Sequence, residues 1–314
     1  MTRSASKNIA ASVRQRLLNE ARATGRPFGE LLQYFAMERF LYRLSRSRHA
    51  DKFVLKGALM MTAWKGFLLR PTMDIDLLGR TNNDMEALIA IAKEVCELHV
   101  DVEDGLRFDP STVTGERITE AAEYQGVRLR FQAFLGTARV PMQLDVGFGD
   151  IVVPSPAQIK YPTILNLPAP ELLAYSKESA VAEKFEAIVK LGELNSRMKD
   201  FFDILLLSRS FDFHAAQLSA AIAKTFEKRG TAIPDDVPVA LSEEFADSRA
   251  KQTQWSAFIR RIKLSNAPTL RDVISELREF LLPPMRAAAS RSRSASIWVA
   301  ARRRWSAKPR NSVN

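Results

Sequence analysis

The sequence predicts an α/β lobe followed by a helical lobe. Three observations carry this. Two alternating runs, residues 126–135 (GVRLRFQAFL) and 138–148 (ARVPMQLDVGF), flank Gly136-Thr137, which is a β-hairpin signal. Short apolar runs at 53–56 and 73–78 are long enough for strands but not for helices. After a proline-rich connector (Pro154, Pro156, Pro162, Pro168, Pro170) the periodicity changes to that of helices.

Taken in order, residues 8–24 read as a helix ending at Gly25, and residues 28–46 as a second with Leu31, Leu32, Phe35, Phe40 and Leu41 available to pack. Phe53–Lys56 is a short strand and Gly57 a turn. Residues 58–64 form a helix broken by Lys65-Gly66, and Met73–Leu78 is the next strand. Residues 84–99 form an amphipathic helix with Met85, Leu88, Ile89, Ala92, Val95 and Cys96 on one face. In the second half, 171–192, 199–209, 214–229, 239–262 and 269–282 read as helices, the last ended by Pro283-Pro284. Residues 286–314, rich in Arg and Ser, read as a basic disordered tail in which Trp298 and Trp305 could stack on bases or dock on a partner. The domains expected are 1–50, basic helices packing on the core; 51–170, the α/β lobe; 171–285, the helical lobe; and 286–314, the tail.

Composition excludes several classes. With 46% hydrophobic and 26% charged residues the chain reads as soluble and globular, and no apolar run is long enough to span a bilayer. The basic, amphipathic N-terminus lacks the apolar core of a signal peptide, so a cytoplasmic location is expected. The single cysteine, Cys96, rules out an internal disulfide and sits on a core face. His49, His99 and His214 lack metal-ligand spacing. The net charge of +10 is unevenly spread: residues 1–50 carry +7, residues 286–314 carry +8, and the middle carries −5. Basic ends favour a polyanion such as nucleic acid.

The chemistry concentrates in Arg70-Pro71-Thr72-Met73-Asp74-Ile75-Asp76-Leu77. On a strand, Asp74 and Asp76 point the same way, and two like charges side by side call for a cation, most simply Mg²⁺. Seventeen residues upstream, Gly57 lies between a strand and a helix, where backbone N–H groups can receive phosphate. In 141–147 (PMQLDVG), Met142, Leu144 and Val146 face one side and Gln143, Asp145 and Gly147 the other. Asp145 is therefore the expected third ligand and base, ahead of Asp150, which a turn after Gly149 would explain. Thr72 shares the aspartate face at its edge. Arg70 reads either as a phosphate contact or as a surface side chain. In the helical half, Lys184 lies among Val181, Phe185 and Ile188, while Asp200 and Asp203 share a helix face. Two readings stand for them: a Lys–Asp pairing between helices, and a lysine reaching phosphate with an aspartate orienting it.

Phe53-Val54-Leu55-Lys56-Gly57, Arg70-x-Thr72-x-Asp74-Ile75-Asp76 and Glu183-Lys184…Arg197-x-Lys199-Asp200-x-x-Asp203 together resemble the AbiEii/AbiGii-type nucleotidyltransferase toxins of two-gene toxin–antitoxin systems, over roughly residues 28–230. The resemblance implies a DNA polymerase β-like nucleotidyltransferase lobe with a mixed sheet and a helical C-terminal lobe. It implies Mg²⁺, two ions, and an NTP as donor, with transfer of NMP to the 3′ end of tRNA, blocking aminoacylation and translation, and an antitoxin from the neighbouring gene. Carried over, Asp74, Asp76 and Asp145 are the metal ligands and, with Lys184 and Asp203, the catalytic set. Lys56, Gly57, Arg70, Thr72, Lys184 and Asp200 face the nucleotide. The chain departs from the family's two glycines followed by Ser or Thr: here the run is Gly57-Ala58-Leu59. Transfer to a protein side chain, and an inactive nucleic-acid- or partner-binding scaffold, are the alternative readings.

Overall fold

The computed structural model describes residues 2–65, 71–120, 124–264, 266–292 and 294–307. They form two units: Met1–Gly149 with Ala157–Ala174, and Asp150–Pro156 with Tyr175–Asn314.

The first unit is built on a seven-stranded mixed sheet. Its strands are β1 (Phe53–Lys56), β2 (Asp74–Gly79), β3 (Leu106–Glu120), β4 (Tyr124–Leu135), β5 (Ala138–Phe148), β6 (Ala157–Lys160) and β7 (Glu171–Ala174), in the order β3-β4-β5-β2-β1-β7-β6. The hairpin β4–β5 turns at Gly136-Thr137, with Leu135 opposite Ala138 and Gly136 at φ +60°. β2 runs parallel to β5 and antiparallel to β1. Alternation makes one face apolar: Leu55, Ile75, Leu77, Val127, Leu129, Phe131, Leu144 and Val146 are all buried. Three helices, α1 (Thr2–Thr24), α2 (Phe28–Arg46) and α4 (Met85–Glu97), contribute to the same core. Phe40 of α2 meets Phe131 at 4.9 Å and Phe108 at 5.6 Å between ring centroids. Each such buried ring contributes on the order of 1.5–3 kcal/mol. The short helix α3 (Ala58–Lys65) follows β1 directly.

β3 and the strand β7 were not legible in the pattern. Residues 171–174 alternate buried Leu172 and Ala174 against β1, with Leu55 paired to Ala174. The helix expected from 171 starts only after Ser176, whose side chain caps it by accepting from the Ser179 N–H.

The second unit holds α5 (Lys177–Leu191), α6 (Met198–Ser210), α7 (Ala215–Lys228), α8 (Glu243–Asp247), α9 (Arg249–Ile262) and α10 (Leu270–Ala289). The single helix expected over 239–262 is divided at Ser248, which ends α8 and begins α9. A three-stranded sheet, β10-β9-β8, joins β8 (Phe213–His214), β9 (Ser296–Val299) and β10 (Arg304–Ala307).

Two expectations are corrected here. Pro283-Pro284 do not end α10, which runs on to Ala289. Each proline lacks the N–H that would bond the carbonyl four residues back, those of Glu279 and Phe280. The indole Nε1 of Trp305 donates to both, at 3.1 and 3.2 Å. The tail from 286, expected to be disordered, is ordered over nearly all its described residues. Trp298 is fully buried, donates to the Ser208 carbonyl at 2.7 Å and packs edge-on against Phe280 at 5.0 Å. Its ring faces the core of the unit and is not available for bases. No helix among the described residues is long and apolar enough to cross a membrane.

Candidate active site

The face of the seven-stranded sheet opposite the core carries the charge. Register places Lys56 of β1 beside Asp76 of β2, Asp76 beside Asp145 of β5, Asp145 beside Arg128 of β4, and Arg128 beside Glu116 of β3. One row across five strands thus reads Lys, Asp, Asp, Arg, Glu. The next row holds Asp74, Gln143 and Arg130. Asp74 and Asp76 are half-buried on this face.

Gly57 explains how Asp76 is placed. It has φ +72°, the left-handed region glycine tolerates, and a Cβ there would lie 1.9 Å from Asp76 Oδ2. The carboxylate therefore occupies the space a side chain would fill. A Cβ at Gly147 would sit 3.2 Å from Lys56 Nζ, a tight contact that the flexible lysine can relieve. Ala58 and Leu59, which follow Gly57, are buried. Thr72 is buried, with its N–H donating to the Tyr34 hydroxyl at 2.9 Å. Arg70 lies outside the described residues.

Asp145 is held by Arg128. The guanidinium Nε donates to Oδ1 at 2.8 Å and Nη2 to Oδ2 at 2.7 Å. These hydrogen bonds raise the Arg128 pKa above the ordinary arginine value. Gln143 Nε2 donates to Oδ2 at 3.4 Å. Among the described residues no group of three His, Cys, Asp or Glu side chains is arranged to hold a metal. The donor chemistry of Asp74 and Asp76, two hard carboxylates two residues apart on one face, fits Mg²⁺. The third expected ligand, Asp145, lies in the same row with both oxygens on a guanidinium. Sequence reading passed over Arg128 and Arg130, although their alternation in Val127-Arg128-Leu129-Arg130 is the signal that marks two cations on the polar face.

Asp150 has a different setting. It belongs to the helical unit and bonds Arg229 at 3.0 Å, together with Glu186 at 3.0 Å and Glu183 at 3.4 Å. Burial works against the Arg229 charge, but these carboxylates outweigh it and leave its pKa above the ordinary value. In the same unit Lys184 sits between Asp200 (3.2 Å) and Asp203 (2.9 Å). Both aspartates are fully buried, and Arg197 Nε adds a second cation to Asp200 at 2.7 Å. The interhelical Lys–Asp pairing is thus present, and Lys184 remains 19% exposed.

The sequence model of the nucleotidyl transferase AbiEii toxin family, of type IV toxin–antitoxin systems, matches residues 39–282. The chain belongs to this family. The protein is accordingly a nucleotidyltransferase of the toxin class, and its class implies an antitoxin as partner. Among solved structures, the nucleotidyltransferase is similar to JHP933 from Helicobacter pylori, at 13% identity and TM-score 0.46, over 83% of this chain and 94% of that one. A second H. pylori structure, described as a nucleotidyltransferase candidate, gives 12% and 0.45, over 83% and 96%. No curated protein matches.

Proposed function

We propose that the protein transfers NMP from an NTP to RNA, most specifically to the 3′ end of tRNA, in a Mg²⁺-dependent reaction that blocks aminoacylation and translation. The observation that carries this is Asp74 and Asp76 on one sheet face, with the Asp76 carboxylate seated on Gly57 at the entrance to α3.

In the proposed reaction a terminal ribose hydroxyl attacks the α-phosphorus. The new O–P bond forms as the bond to the β-phosphate oxygen breaks, and pyrophosphate leaves with that electron pair. Asp74 and Asp76, with Asp145 as third ligand, would hold the metal, two ions in the full site. The ions, when bound, supply charge neutralisation on the phosphates. Asp145 is the proposed acceptor of the hydroxyl proton. Lys56, Gly57 and Thr72 are proposed to receive the nucleotide, the Gly57 turn by backbone approach. Lys184 is the proposed phosphate-contacting lysine of the helical unit. Asp200 and Asp203, buried beneath it, serve to position it, so the catalytic part first expected of Asp203 acts through Lys184. With NTP and tRNA as substrates the protein works in the cytoplasm, and its antitoxin comes from the neighbouring gene.

The test is sequencing of RNA 3′ ends after incubation with each NTP separately, for wild type and Asp74→Ala. Extension by one NTP that disappears in a folded Asp74→Ala variant is expected. Full activity of that variant would sink the assignment. Label appearing on protein instead of RNA would move the acceptor to a side chain.

A further inference from the structure

We propose that Arg128 is an internal counter-cation for Asp145, displaced onto the phosphates of the incoming nucleotide, so that metal uptake at Asp145 and nucleotide binding are coupled through one guanidinium. This rests on the reading of Asp74, Asp76 and Asp145 as the metal-binding carboxylates.

The argument starts from the row across the sheet. Asp145 stands in register beside Asp76, which shares its face with Asp74. Carboxylates this close repel, and the repulsion must be neutralised from within the chain or by a bound ion. Arg128 does part of this from within. Its fork takes both oxygens of Asp145, at 2.8 and 2.7 Å, and the two side chains are only 28% and 11% exposed, so water screens the pair little. A divalent ion ligated by Asp145 must share an oxygen that the fork already bonds, and the two cations repel across it. The two cations therefore compete for one carboxylate.

The guanidinium is not without other partners. Glu116, its register neighbour on β3, lies 4.0 Å from Nη1, and Arg130 already holds Glu116 at 2.8 Å. Arg128 thus sits between two anions on one face and can be drawn from Asp145 by a third. Phosphate oxygens match the fork as carboxylate oxygens do. A triphosphate that takes Arg128 frees Asp145 for metal at the same moment. Linkage then requires that the nucleotide raise metal affinity and the metal raise nucleotide affinity by the same factor.

Calorimetry with Mn²⁺ tests this, in the absence and presence of a non-hydrolysable triphosphate analogue. In wild type the Asp145-dependent Mn²⁺ affinity is expected to rise at least tenfold when the analogue is present. Arg128→Gln should bind Mn²⁺ at least tenfold more tightly than wild type without the analogue, and should show a smaller rise when the analogue is added, because only the direct attraction between ion and phosphate is left. Arg128→Lys, which keeps the charge but not the fork, should fall between them, and melting curves establish that each variant is folded. Asp145→Asn should remove the coupled site in every background. Wild-type Mn²⁺ affinity with undiminished coupling in folded Arg128→Gln and Arg128→Lys would overturn the proposal. Asp74→Asn separates the two levels. If it leaves Mn²⁺ binding intact, the metal-site reading fails. If it abolishes binding while the Arg128 variants behave as wild type, only the coupling fails.

Discussion

The substitution Gly57→Ala probes the backbone position that makes room for the Asp76 carboxylate. Alanine at φ +72° is strained by roughly 1–2 kcal/mol. Its Cβ would also lie 1.9 Å from Asp76 Oδ2 and 2.6 Å from Cγ, well inside any real contact, so the carboxylate must move by more than an ångström. Overpacking of this kind adds roughly 1–3 kcal/mol. The sum, roughly 2–5 kcal/mol, lowers the melting temperature of a unit this size by roughly 4–20 °C. Misplacing a reacting group by about 1 Å costs on the order of a hundredfold in rate. The assay is differential scanning calorimetry beside NTP incorporation into RNA. A double-variant cycle isolates the contact: in an Asp76→Gly background, where Oδ2, Cγ and Cβ are gone, Gly57→Ala should retain only the strain of its φ angle. A folded Gly57→Ala with wild-type melting temperature and incorporation would refute the reasoning, as would an equal cost in both backgrounds.

Lys184→Ala leaves Asp200 and Asp203 buried with a diminished cation count. Breaking such a pair is expected to cost roughly 3–5 kcal/mol, read by urea unfolding, with partial recovery in Lys184→Ala/Asp203→Asn. Trp305→Phe removes the donor to the Glu279 and Phe280 carbonyls and should cost roughly 0.5–1.5 kcal/mol. Much less should be lost when Pro283 and Pro284 are first changed to Ala, because the helix then supplies its own donors. Burial pushes the Glu38 pKa up from 4.5 to about 7, against the pull of Arg39. Between those values the unfolded chain has lost the proton that the folded one keeps. Stability is therefore full below pH 4.5 and falls as pH rises to 7, by roughly 3 kcal/mol. Comparing unfolding of wild type and Glu38→Gln at pH 5 and pH 7.5 checks this, and the same slope in both would refute it.

Alternation in 141–147 was enough to put Asp145 on the polar face, because side-chain direction on a strand is set by the backbone alone. The spacing of Asp74 and Asp76 was legible for the same reason. The partner of Asp145 was not: Arg128 meets it only because β4 and β5 pair in one register, which the turn at Gly136-Thr137 fixes. Glu171–Ala174, expected as the start of a helix, holds only three apolar residues, a run short enough to suit either state, and pairing with β1 decides for strand. Ser176, by contrast, was a local capping signal that could have set the start of α5.

By itself the sequence determined the aspartate pair, the glycine before it, the family and the division into an α/β and a helical part. The aspartate pair, the glycine and the division rest on spacing and periodicity along the chain, and the family on the match over residues 39–282. The tertiary structure decided which cation each carboxylate meets, and whether the two prolines and two tryptophans near the end break order or complete it. Pro283 and Pro284 forfeit two donors, and Trp305, more than twenty residues on, brings one indole N–H to both carbonyls. Such a contact depends on the chain folding back, and no local pattern encodes it.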